Sequence, residues 1–139
     1  MEIITQNPRE TQGLGQKIGT DLKSGRLKKG ILCLFGDLGS GKTTFVQGLA
    51  KGLGIKKRIT SPTFVFIKKY QPNFYHVDLY RIEKLKETKG LDLEEIFSDP
   101  QAIVAVEWAE KIKEILPKQR IDIRFNYLDN KKRKIIISY

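Results

Sequence analysis

Between residues 30 and 53 the chain passes from the apolar run Ile31-Leu32-Cys33-Leu34-Phe35 into Gly36-Asp37-Leu38-Gly39-Ser40-Gly41-Lys42-Thr43. It then continues into a stretch where Phe45, Val46, Leu49, Ala50 and Leu53 keep helical spacing and Gly52 and Gly54 mark the stop. An apolar run bounded by glycines predicts a strand buried on both faces, the position of a central strand in a parallel sheet. The eight residues from Gly36 match G-x-x-x-x-G-K-S/T at every fixed position. A shuffled chain of this composition would contain that pattern roughly one time in a hundred, and the strand before and helix after cut the chance further. The loop is therefore read as a phosphate cradle rather than a glycine turn without a ligand.

Each position has a physical reason. Glycines let the backbone come close to a polyphosphate and turn its N–H groups inward, and the following helix offers its positive end to the same charge. Lys42 would bridge the β and γ phosphates, and the Thr43 hydroxyl would ligate the magnesium that joins them. Such a site needs an acid at the C-terminal end of a neighbouring strand. Two candidates are Asp78, ending Tyr75-His76-Val77-Asp78, and Glu107, ending Ala102-Ile103-Val104-Ala105-Val106-Glu107. Either alone could be a cap or a surface charge; ligands of open parallel sheets gather at strand C-termini, where both would fall. Glu107 is the better Walker B type acid because five apolar residues precede it directly. Asp78 would share the ion or orient the water. Tyr75, Tyr80 and Trp108 read as core or rim, and His76 as structural.

The remaining chain fits the same architecture. Residues 1–5 read as a short strand. Asn7-Pro8-Arg9-Glu10 starts a helix carrying Leu14, Ile18 and Leu22 on one stripe and closed by Gly25. Thr63 to Tyr70 and Phe74 to Leu79 read as paired strands around Gln71-Pro72-Asn73. Lys84 to Lys89 is polar and solvated, and a short helix spans Asp92 to Phe97. After the second central strand a helix bears Ala109, Ile112 and Leu116 and ends at Pro117. A C-terminal hairpin pairs Ile121 to Phe125 with Lys134 to Ser138.

Composition narrows the function. The 139 residues suit one compact domain. One cysteine and one histidine exclude an internal disulfide and a Cys/His zinc cluster, and Cys33, inside an apolar run, reads as core rather than nucleophile. No apolar run approaches the ~18 residues of a membrane span, and the start lacks the features of a signal peptide, so a cytoplasmic protein is expected. The net charge of +10 points to polyanionic company.

Taken together and in order, GDLGSGKTTF from Gly36, Ser61-Pro62-Thr63-Phe64, His76-Val77-Asp78-Leu79-Tyr80-Arg81 and Glu107-Trp108 make the chain closely similar to the bacterial TsaE family, also called YjeE. The resemblance spans nearly the whole length. It implies an α/β, P-loop NTPase-like fold, with a mainly parallel sheet flanked by helices and an antiparallel C-terminal hairpin. It implies an ATPase required for N6-threonylcarbamoyladenosine in tRNA that acts on the TsaD and TsaB proteins, with tRNA met indirectly. Family roles place ATP on the loop residues Asp37, Leu38, Gly39, Ser40, Gly41, Lys42, Thr43 and Thr44, with Thr63 in a switch-like loop and Trp108 nearby. They place Mg²⁺ and hydrolysis on Thr43, Asp78 and Glu107, with Lys42 catalytic.

Three rivals are weaker. A small-molecule kinase would want a lid and an acceptor pocket, and no long insert remains for one. A GTPase would want an N-K-x-D pattern, and Asn130-Lys131-Lys132-Arg133 lacks its Asp. An RNA-binding module could use Lys56-Lys57-Arg58 and Lys131-Lys132-Arg133-Lys134, but no RNP-type aromatic pattern accompanies these runs.

Overall fold

The computed structural model describes residues 1–60 and 66–139. Seven strands, β1 (Glu2–Thr5), β2 (Ile31–Phe35), β3 (Ile67–Tyr70), β4 (Phe74–Asp78), β5 (Ile103–Glu107), β6 (Ile121–Tyr127) and β7 (Arg133–Ser138), form one sheet in the order β1-β7-β6-β2-β5-β4-β3. The four central strands β6, β2, β5 and β4 are parallel, while β7, β1 and β3 are added antiparallel at the flanks. This is the α/β arrangement expected, with the C-terminal hairpin built into the same sheet.

β2 is buried on both faces, as its unbroken apolar run requires. Leu32 and Leu34 face helices α1 (Pro8–Lys23) and α2 (Lys42–Gly52), whereas Ile31 and Cys33 pack on the other side against α3 (Leu93–Ser98) and a 3-10 segment carrying Ala109 and Ile112. Asn7 caps α1 by accepting from the Glu10 N–H, and Glu10 reaches back to the Gln6 N–H, so the sequence signal at that end is realised.

Lys84 to Lys89 is largely exposed, as expected, and within it Leu85–Thr88 forms a 3-10 turn, its entry tied by Glu87 accepting from the N–H groups of Glu83 and Lys84. One local expectation is corrected. The segment after β5, read as a helix, is 3-10 over Ala109–Ile115 and kinked at Ile112. Seven residues must bury both Ala109 and Ile112 under the sheet before Pro117, and a tighter, bent turn does this. The described part of the strand predicted from Thr63 begins at Ile67; Thr63 itself lies outside the described residues.

Candidate functional site

Register assembles the site. Parallel pairing puts Asp78 opposite Glu107 and Glu107 opposite Leu34, so both acids end their strands beside the turn from β2 into the glycine loop. Side chains alternate across a strand, so Phe74, His76 and Asp78 share a face with Ala105 and Glu107. That is the face of Leu32 and Leu34, against which α2 packs.

The loop delivers Lys42 and Thr43 to these acids as the first residues of α2. Gly41 precedes them with φ +104, in the left-handed region, and brings no capping side chain, so the first N–H groups of α2 are left for an outside acceptor. Thr43 Oγ1 donates to Glu107 Oε1 at 3.0 Å and Oε2 at 3.2 Å. The Lys42 ammonium donates to the carbonyls of Gly36 and Asp37, the latter at 3.1 Å, and lies 4.1 Å from the Trp108 ring centroid. Burial pushes its pKa below the usual lysine range, while the charges of Glu107, Glu110, Asp78 and Asp37 oppose that shift. Trp108 takes φ +62 straight after Glu107 and packs on Tyr80, with centroids 5.4 Å apart, so these aromatics form a rim.

A cleft of about 380 Å³ opens here, lined by Leu38, Gly39, Ser40, Gly41, Lys42, Thr43, Thr44, Asp78, Glu107 and Trp108 among the residues expected from the sequence. Asp37 is absent from that lining. It is exposed, and its carbonyl is committed to Lys42 and to the Ser40 N–H, closing the turn. Asp78 accepts from the Tyr80 N–H at 3.0 Å. Added to the expected set are Pro8, Thr11, Phe66, Tyr80, Arg81, Lys131 and Arg133.

His76, read from sequence as structural, is wholly buried, with Nε2 2.5 Å from Glu107 Oε2. A carboxylate only accepts, so Nε2 bears the proton; Nδ1 is buried without a hydrogen-bond partner among the described residues. The alternation placing His76 two residues before Asp78 was a usable signal, but its reach to Glu107 depends on strand register.

The donor set suits magnesium held together with phosphate rather than a self-sufficient metal cage. Among the described residues no group of three or more His, Cys, Asp or Glu could hold an ion alone. Mg²⁺ characteristically takes one or two protein oxygens and fills its other positions with water and phosphate oxygens, and Thr43 and Glu107 offer hard oxygens beside uncapped N–H groups.

The family model described as "Threonylcarbamoyl adenosine biosynthesis protein TsaE" matches residues 5–135. The chain belongs to the TsaE family. It is 42% identical to the tRNA threonylcarbamoyladenosine biosynthesis protein TsaE of Bacillus subtilis, over 94% of this chain and 80% of that protein. It is 31% identical to the namesake of Treponema pallidum, over 99% of this chain and all of that one. The crystal structure of YdiB from Bacillus subtilis superposes with a TM-score of 0.73 at 39% identity, covering 97% of this chain and 82% of that chain. Membership in TsaE covers the strand-loop-helix unit, both acids and most of the C-terminal hairpin.

Proposed function

We propose that the chain is a Mg²⁺-dependent ATPase serving the formation of N6-threonylcarbamoyladenosine in tRNA, one nucleotide-binding domain that acts in the cytoplasm on TsaD and TsaB. The observation that carries this reading is the Thr43–Glu107 hydrogen bond, which joins the glycine loop to a strand end 64 positions away. Family membership and the names of the relatives support the pathway. No helix among the described residues is long and apolar enough to cross a membrane.

ATP would lie with its phosphates on residues 39–44. Lys42 would exchange its carbonyl partners for the β and γ oxygens, and Thr43 and Glu107 would hold the metal side of the polyphosphate. Bound Mg²⁺ supplies neutralisation of the charge that develops on the phosphates. Asp78, less buried than Glu107 and on the cleft wall, would orient the attacking water, and His76 would keep the Glu107 carboxylate turned to Thr43. The chain has no thiol in a polar setting to perform acyl chemistry, since burial pushes Cys33 up to about 12. Hydrolysis would therefore act on a partner's site.

The test is phosphate release from ATP by the purified chain, with and without Mg²⁺ and the partner proteins, alongside assay of modified adenosine in tRNA. Slow Mg²⁺-dependent release alone, and modification only with the partners, are expected. No release under any condition overturns the ATPase assignment. Modified adenosine made without the partners overturns the accessory role.

A further inference from the structure

The basic run at Lys131 to Lys134 is not a uniform solvated turn. Arg133, the first residue of β7, is half-buried and turned onto the glycine loop at the wall of the cleft. Its Nε donates to the Ser40 carbonyl at 3.1 Å and its Nη2 to the Gly39 carbonyl at 2.9 Å. Nη1 donates to the carbonyls of Asp129 at 2.6 Å and Lys132 at 2.9 Å, and the guanidinium lies 4.4 Å from the Tyr127 ring centroid. One side chain thus ties the β6–β7 turn to the loop across more than 90 positions.

We propose that Arg133 is a positioning residue for the anion cradle, holding the Gly39 and Ser40 carbonyls so that the Gly41 N–H faces the phosphates while the Ser40 N–H closes the turn; this rests on the nucleotide reading of the cleft. The reason lies in peptide geometry. In a planar trans peptide the C=O and N–H point in opposite directions. The Ser40 carbonyl shares its plane with the Gly41 N–H, so drawing that oxygen toward Arg133 turns the Gly41 N–H away from the guanidinium. The Gly39 carbonyl shares its plane with the Ser40 N–H, which already closes the turn onto Asp37 at 3.1 Å. Glycine at 39 and 41, with φ +78 and +104, leaves these planes otherwise easy to rotate. A planar fork anchored at four carbonyls restrains them, which a single ammonium on a flexible stem does not.

The test compares unmutated chain with Arg133→Gln, Arg133→Lys and Lys131→Ala, the last removing a neighbouring cation on the same cleft. Calorimetry with Mg-ATP and with inorganic tripolyphosphate is run beside thermal melts and hydrolysis kinetics. Arg133→Gln and Arg133→Lys should both weaken ATP and tripolyphosphate by a common factor of about ten to a hundred, the scale of one charge-assisted hydrogen bond. KM should rise with kcat changed only a few-fold, as for binding shared by ground and transition states. Lys131→Ala should weaken both ligands far less. Full affinity in Arg133→Lys would reduce the residue to a point charge and overturn the proposal, as would a loss confined to ATP, which would assign Arg133 to the nucleoside. If Arg133→Gln melts below the assay temperature, the lysine variant decides. Failure of the unmutated chain to bind either ligand would instead remove the nucleotide reading itself.

Discussion

Glu107 is the meeting point of three stretches of chain: its own strand, Thr43 from the loop and His76 from β4, all within hydrogen-bonding distance. Replacing it with Gln keeps the shape and removes the charge, so turnover should fall by roughly two or more powers of ten while nucleotide binding persists in calorimetry. Asp78→Asn should be comparably inactive, and full activity would leave Asp78 a turn-forming acid for the Tyr80 N–H. Lys42→Ala should lower hydrolysis by at least about a hundredfold, because the ammonium that the start of α2 would place on the β and γ oxygens is lost. Its melting curve should stay cooperative, since the two carbonyls it holds can turn to water. Cys33 gives a prediction about stability. Burial raises its pKa from 9.0 to about 12, with Asp122 adding and Arg120 opposing. The folded thiol thus keeps its proton where the unfolded one loses it, so its contribution is whole below about pH 9 and shrinks as pH rises toward 12, by about 1.4 kcal/mol per pH unit. Urea titrations of wild type and Cys33→Val at several pH values would read this as a fall in stability above about pH 9 that is steeper in wild type than in the variant.

At the level of elements, α1 and α2 approach backbone to backbone. A Cβ on Gly48 would stand 1.9 Å from the Gln12 carbonyl oxygen, and one on Gly15 2.2 Å from that of Phe45. The spacings Gly15-x-x-x-Gly19 and Gly48-x-x-x-Gly52 therefore mark a seam between helices, and they seat α2 so that its first residues reach the cleft. Gly48→Ala should destabilise the fold by about 1–3 kcal/mol or more, since backbone must shift to admit the methyl. Gly13→Ala, on α1 with nothing within 4 Å, should be neutral or stabilising by about 0.5–1 kcal/mol. Equal effects of the two in urea unfolding would contradict the seam.

For the whole molecule, binding to the folded state alone implies stabilisation by mass action. Mg-ATP at a hundred times its dissociation constant should add about 2.7 kcal/mol, seen as a concentration-dependent rise in Tm that Lys42→Ala loses. Association of this +10 chain with an acidic partner surface should weaken as salt increases. The sequence by itself determined the strand-loop-helix unit, the two acids and the sheet class. Local signals suffice there: apolar runs declare burial on two faces, glycine spacing declares a cradle, and an acid directly after an apolar run declares a strand end. It did not determine that the segment after β5 winds as a kinked 3-10 turn, because helical spacing of Ala109 and Ile112 is compatible with both helices and only the room under the sheet chooses. Nor did it identify His76 behind Glu107, or lift Arg133 out of its basic run. Those contacts depend on strand register and on where the β6–β7 turn comes down, distances set by tertiary packing between residues 31 and more than 90 positions apart.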